Sequence, residues 1–357
     1  MTQVLITGGA GFIGSNLANQ LIKNFDEYEV SIFDNLHPQV HHQEGWPAHL
    51  PPSASLFKGD VSNKEDWDKF LQSHTPEIII HLAAETGTGQ SLTEATRHGM
   101  VNVVGTTEMI DSFTRNNIQP KHIVLASSRA VYGDGVWQSL VDGNVYVGSR
   151  PHSMLEKREW NYLDSNGGAM KPLPSKAGTT EPRPTNVYAA TKLAQEHILQ
   201  AWTLAYGIPL SILRFQNVYG PGQSLENSYT GIVALFSRLA YEKQAIQVYE
   251  DGAIIRDFVY IDDVVQGIVK SISNPPSSIR MLDIGSGDVC TVEDVANNLA
   301  EIGDAPQPVV TGKYRDGDVR AAISDITEAQ KTINYSPEWP VKRGLESLYE
   351  WVKANRS

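Results

Sequence analysis

With one cysteine, Cys290, among 357 residues, the chain has no partner for an intramolecular disulfide and no basis for a cysteine-cluster metal site. No metal is therefore expected, and a reducing compartment is implied. Basic residues are also scarce: 29 Lys and Arg stand against 41 Asp and Glu, a net charge of −12. That balance argues against a general nucleic-acid binder and against an anionic-membrane binder, both of which need a basic face. No window reaches the roughly 18 apolar residues of a membrane span. The opening MTQVLITGGAGFIG has no basic n-region, no long apolar h-region and no small-residue cleavage site, so no secretory signal is apparent and a cytoplasmic protein is expected. Any phosphate must be held locally rather than by a general positive field.

What is present is a regular alternation. Short β-rich apolar runs, Val4-Leu5-Ile6, Val30-Ser31-Ile32-Phe33, Ile78-Ile79-Ile80-His81-Leu82 and His122-Ile123-Val124-Leu125-Ala126, are separated by stretches long enough for crossover helices. Near-continuous apolar strands are those buried on both faces, which predicts a doubly wound α/β core around a parallel Rossmann-type sheet. Later runs, Leu210-Ser211-Ile212-Leu213 and Met281-Leu282-Asp283-Ile284, read as further strands of the same sheet. The expected division is a nucleotide-binding domain over 1–215, to which 258–286 also contributes, and a smaller discontinuous lobe over 216–257 and 287–357. Between 136 and 176 the pattern breaks into Gly, Pro, Asn and Ser with scattered Trp and Tyr. This reads as a long inserted loop or small excursion; loops of that length without regular structure are usually functional or mobile.

Directly after the first run comes Thr7-Gly8-Gly9-Ala10-Gly11-Phe12-Ile13-Gly14, followed by a helix-compatible segment. Gly8, Gly11 and Gly14 have the spacing that gives a tight turn, close backbone approach to a pyrophosphate, and close helix packing. The helix N-terminus supplies unpaired N–H groups for a diphosphate. Asp34 ends the second run, twenty residues beyond Gly14. A carboxylate there accepts from the adenosine ribose hydroxyls and repels a 2′-phosphate, which favours NAD over NADP. Asp60-Val61 is suited either to holding adenine or, for Asp60, to capping a helix over 62–70.

The strongest local signal is Tyr188-Ala189-Ala190-Thr191-Lys192 at the start of a helical stretch. Residues four apart share a helical face, so the phenol and the ammonium can share a site. A cation beside Tyr188 would lower its pKa and make it a base for a sugar hydroxyl, and Lys192 could also bond a ribose. Ser127-Ser128-Arg129-Ala130-Val131-Tyr132-Gly133 puts hydroxyls at a strand end, where open parallel sheets bind ligands.

Taken together, TGGAGFIG, Asp34, Asp60-Val61, His81-Leu82-Ala83-Ala84, Ser128-x-x-Val131-Tyr132-Gly133, Tyr188-x-x-x-Lys192 and Arg256-Asp257-Phe258-Val259-Tyr260 resemble the extended short-chain dehydrogenase/reductase family, in its nucleotide-sugar epimerase and dehydratase branch. The resemblance implies bound NAD, with Phe12 and Ile13 on the pyrophosphate and Asn35, Leu82, Ala83 and Ala84 in the cofactor pocket. It implies a nucleoside-diphosphate sugar contacted by Thr86, Ser128, Asn217, Arg256 and Arg315. It makes Tyr188 the base, supported by Ser128 and Lys192. Related 4,6-dehydratases carry an acidic pair after the Ser or Thr; here Arg129 and Ala130 stand in those places, which argues against dehydration. Without it, hydride return to the opposite face of a 4-keto sugar gives 4-epimerisation. Glu85-Thr86-Gly87-Thr88-Gly89-Gln90-Ser91 with SSRAVYG is similar to the dTDP-L-rhamnose 4-epimerase group, although the insertion lacks the paired cysteines associated with that group. A 4-keto-6-deoxyhexose reductase using NAD(P)H, a UDP-hexose 4-epimerase and a non-catalytic NAD-binding scaffold are the alternatives. Relatives dimerise through two helices per subunit, one carrying the Tyr and Lys; Leu193, His197, Ile198, Ala201, Leu204 and Ala205 form an apolar stripe that fits a homodimer or the core.

Overall fold

The computed structural model describes residues 1–41, 45–225 and 231–356. Seven parallel strands form the central sheet: β1 (Thr2–Thr7), β2 (Tyr28–Asp34), β3 (Ser55–Lys58), β4 (Ile78–His81), β5 (His122–Ser128), β6 (Leu210–Phe215) and β7 (Ile279–Ile284). Their spatial order is β7-β6-β5-β4-β1-β2-β3. The inner strands are apolar on both faces because helices cover both. Helix α1 (Phe12–Asn24) packs with α4 (Ile261–Ser273) on one side, burying Leu17, Leu21, Val264 and Ile268. The helix Lys64–Leu71, α2 (Gly105–Arg115) and α3 (Val187–Tyr206) cover the other side, burying Trp67 and Phe70, Phe113, and Leu199 in turn.

The strand order reverses between β1 and β4, and there the chain leaves neighbouring strands in opposite directions. Such a switch point opens a crevice at the carboxyl ends of the strands, which positions the site.

Two expectations are corrected. β3 was not among the predicted strands: it is a four-residue edge strand with alternating half-buried and exposed positions, so it lacks the apolar run of an inner strand. The described residues between β2 and β3 hold no helix, so this crossover is a loop. Of the two readings of the 136–176 insertion, the small excursion holds and the irregular loop does not. It holds a three-stranded antiparallel sheet of Val136–Ser139, Gly143–Tyr146 and Lys171–Pro172, and a short helix, His152–Glu156. Its small core joins Trp137 and Met170 to Ala321 of the C-terminal chain.

That docking is electrostatic as well as apolar. Arg150 donates to both carboxylate oxygens of Glu250 at 2.8 and 2.7 Å, with both side chains 1 % exposed. Arg320 joins Glu250, Asp251 and Asn161 in the same network. In the C-terminal part of the chain, helices Ile232–Tyr241, Val292–Ile302 and Val341–Arg356 pack over short strands. Among the described residues, no helix is long and apolar enough to cross a membrane.

Candidate active site

A cavity of about 280 Å³ opens at the switch point and is lined by Gly8, Gly11, Phe12, Ile13, Gly14, Asp34, Asn35, Val61, Leu82, Ala83, Ala84 and Thr86. Gly8 adopts φ +67°, and a Cβ there would lie 2.7 Å from the Ala83 nitrogen. Only glycine permits that backbone and that approach of the loops after β1 and β4. A Cβ on Gly14 would meet Gly8 O and Gly9 Cα at 2.5 Å, so glycine also lets α1 start hard against the turn. The N-cap of α1 is Gly11, which offers no side-chain cap, and its first turn holds no acidic residue. The first N–H groups of the helix are left for an anionic ligand. A dinucleotide's pyrophosphate fits this cradle.

At the other end of the cavity, Asp34 is buried and oriented by Ala10 N at 3.0 Å and Leu36 N at 2.8 Å. Asp60 does not cap the following helix; Asn63 does, accepting from Glu65 and Asp66. Asp60 instead accepts from Asn35 Nδ2 and from Ser62, and these bonds outweigh burial and hold its carboxyl below the usual range. It braces Asn35, while Val61 lines the cavity itself.

The loop after β2 crosses this end of the crevice. Gln39 and Gln90 exchange amide hydrogen bonds of 2.8 and 3.1 Å. Arg97, held by Glu85, donates to Gln39 at 2.8 Å. Gln39, His41 and Arg97 line the cavity, and no motif marks them in the sequence.

Helix α3 begins at Asn186, whose side chain accepts from Ala189 N at 2.9 Å, and ends where Gly207 turns left-handed. Tyr188 and Lys192 therefore sit in its first turns. Ser128 closes β5; its Oγ accepts from Ala130 N at 3.1 Å, capping the turn Arg129–Tyr132, and it is hydrogen-bonded to Tyr188. Burial raises the Tyr188 phenol above its ordinary value, and the Ser128 bond and the Arg129 guanidinium pull it back. The sequence suggested Lys192 for that second role. In the structure Lys192 Nζ is bonded to Gln195, and burial pushes it down to about 7 against the opposing pull of Glu196. The cation bearing on the phenol is Arg129.

Among the described residues, the Arg129 guanidinium makes neither a hydrogen bond nor an ion pair. Arg256 is buried and donates to the carbonyls of Ile255 and Val319 rather than to carboxylates. Burial, then the charge of Arg129, pushes Arg256 down to about 9. Gln216, which shares a recess with Arg129, is 5 % exposed and leaves both amide atoms unpartnered; Asn217 Oδ1 is unpartnered too. These are groups poised for an anionic, hydroxylated ligand. Arg315 is not brought among them: it is exposed and lies over the Tyr249 ring at 5.2 Å. Beneath the site, Tyr132 donates to Asp283 at 2.9 Å and Arg214 pairs with Glu196 at 2.7 Å, which ties β5, β6, β7 and α3 together.

The family model described as the NAD dependent epimerase/dehydratase family matches residues 4–152 and 164–285. The chain is 52 % identical, over 98 % of its length and 94 % of the relative's, to dTDP-L-rhamnose 4-epimerase of Burkholderia thailandensis. Its fold resembles UDP-glucose 4-epimerase of Thermotoga maritima, solved with UDP-glucose, at a TM-score of 0.80 and 26 % identity, covering 100 % of both chains. It also resembles MoeE5 in complex with UDP-glucose and NAD, at a TM-score of 0.76 and 27 % identity, covering 99 % of this chain and 100 % of that one.

Proposed function

The chain belongs to the NAD dependent epimerase/dehydratase family, and from that premise we propose that it is a nucleotide-sugar 4-epimerase acting through a transient 4-keto sugar on a dTDP-6-deoxyhexose such as dTDP-L-rhamnose. The 52 % identity to a dTDP-L-rhamnose 4-epimerase along almost the whole chain carries this reading. The glycine cradle, the uncapped start of α1 and Asp34 fit NAD. When bound, NAD supplies a reversible acceptor for the C4 hydride. Tyr188 takes the C4–OH proton as the phenolate, becoming the phenol, and gives the proton back when the hydride returns, with Ser128 hydrogen-bonded to its oxygen throughout. Arg129 stabilises the phenolate form that acts as the base. Arg256 and Asn217 take the diphosphate, with Arg315 joining them only if its loop moves in. Thr86 contacts the sugar. Residues 1–215 with 258–286 form the cofactor domain, and 216–257 with 287–357 form the sugar lobe.

Arg129 and Ala130 offer no carboxylate for water elimination, which favours epimerisation over dehydration. The Gln39–Gln90 bridge supports a retained cofactor, which an epimerase needs and a reductase, consuming NAD(P)H each turnover, does not. On α3, Leu204 is 61 % exposed, and Met100 and Val104 on the adjoining helix are exposed too. That uncovered two-helix face supports a homodimer, and the single cysteine supports a cytoplasmic location. Mass and NMR analysis of product from a panel of dTDP- and UDP-sugars, with no added reductant, tests the function. A C4 epimer from dTDP-L-rhamnose is the expected result. Turnover only with stoichiometric NADH would replace the epimerase by the reductase.

A further inference from the structure

Lys192 is not free on its helix. Its Nζ donates to Gln195 Oε1 at 2.5 Å. Gln195 Nε2 donates to Thr106 Oγ1 at 2.7 Å and lies 3.3 Å from His81 Nε2. Thr106 gives its own hydrogen to the Asn102 carbonyl at 2.7 Å, and His81 completes the set with Thr106 at 3.0 Å and Thr7 Oγ1 at 2.8 Å. His81, Thr106, Gln195 and Lys192 are all buried. One amide orientation fits these bonds, with oxygen toward the amine and nitrogen toward the hydroxyl. The carboxylate next along the helix, Glu196, is turned away and held by Arg214 at 2.9 and 2.7 Å and by Ser127. The partner of the site's amine is thus a neutral amide, braced from a second helix and from β4.

We propose that Gln195 is a positioning residue for Lys192: its amide oxygen, fixed by Thr106 and His81, anchors the amine and leaves its remaining N–H groups for the ribose hydroxyls of the dinucleotide. An ammonium has three donors, and one is used by this anchor. The inference rests on the reading of the site given above, and it extends the Tyr-x-x-x-Lys pair to a third residue of the same helix. The charged and titratable groups bearing on Lys192 are few. His81, from β4, stays neutral because burial, then the charge of Lys192, pushes it down to about 3. Tyr188 and Glu196 lie on the same helix as Lys192, Arg214 on β6 is committed to Glu196, and Arg129 lies beyond Tyr188 in the turn after β5. With a neutral anchor, burial is opposed only by the charge of Glu196 and pushes the amine down to about 7.

The test titrates the Lys192 side chain by NMR in the protein without added nucleotide, with Lys192→Met assigning the signal. The wild-type midpoint is expected near 7, and Gln195→Glu is expected to raise it by more than one unit by placing a carboxylate on the amine. A wild-type midpoint at the ordinary lysine value, or no movement in Gln195→Glu, would overturn the proposal. Gln195→Met should lower kcat about 10- to 100-fold through misplacement of the amine, with little change in KM for the sugar, which Gln195 does not touch. Full turnover with an unchanged pH profile in that variant would reduce Gln195 to packing. If Gln195→Glu does not fold, Thr106→Val serves: it frees the amide to rotate and should shift the Lys192 resonance, and an unmoved resonance counts against the anchor. A wild-type protein that turns over no sugar would refute the epimerase reading, while the titration still decides the role of Gln195.

Discussion

On the dinucleotide side of the cleft, the groups that face the ligand are largely backbone. A positive-φ glycine, a helix that begins without a side-chain cap, and two loops in contact across the switch point form the cradle. On the side proposed for the sugar they are side chains: the guanidinium groups of half-buried Arg129 and buried Arg256, and the unpartnered amide atoms of Gln216 and Asn217, framed by the Arg150–Glu250–Arg320 network. Backbone recognition costs little desolvation and tolerates few substitutions. Recognition by buried charge needs a scaffold that holds unpaired groups in place until a ligand pairs them. The two sides should therefore fail differently when altered.

The largest effect is expected where they meet. Tyr188→Phe should lower kcat by about 10²–10⁴-fold while nucleotide binding, measured by calorimetry, is nearly kept. Near-normal turnover would remove the phenol from the chemistry. On the side proposed for the sugar, Glu250→Leu leaves the buried Arg150 guanidinium without its carboxylate, while Arg320 keeps Asp251, and should cost about 3–5 kcal/mol in urea unfolding, with the insertion loosening first in hydrogen exchange. A change below about 1 kcal/mol would mean the network is exposed to water in solution. On the dinucleotide side, Asp34→Asn should leave the fold intact and weaken NAD about 10-fold while improving the relative binding of NADP. Equal loss for both cofactors would mean that Asp34 only shapes its loop. The smallest effect concerns acid. Burial, then Arg280, pushes the His122 imidazole down to about 4 from an ordinary 6.5. As pH falls through 6.5 the unfolded chain takes up a proton that the folded chain refuses, so this contribution is full above 6.5 and is lost progressively toward pH 4. His122→Phe should narrow the gap between urea midpoints at pH 7 and pH 5, and an unchanged gap would show that other groups dominate.

The same contrast explains what could be read in advance. Strands β1, β2, β4, β5, β6 and β7 are visible as apolar runs because both faces are covered, and the glycine spacing reports a backbone demand that only glycine meets. β3 escaped because an edge strand half in water has no such run. The insertion escaped for a different reason: Trp137 finds its neighbours in Met170 and Ala321, and Arg150 its carboxylate 100 residues away, so no local periodicity records its order. Tyr188 and Lys192 were legible as a pair on one helical face, but the direction of the amine was not. It is set by Gln195, Thr106 and His81, which come together only once α2, α3 and β4 pack. Of the two roles open to Asp60, the helix cap falls to Asn63, which is better placed, and Asp60 accepts from Asn35 beside the cavity.

Strand β7 closes the far edge of the sheet, yet it is supplied by residues 279–284, long after the cofactor cradle has been synthesised. Until those residues emerge from the ribosome, Leu210–Phe215 presents an open row of amides and carbonyls to whatever strand is nearby. A chain cut after residue 215 therefore keeps Leu210–Phe215 as a bare edge, and fragments that stop short of residue 285 should aggregate more than the full chain at equal concentration, as light scattering would show.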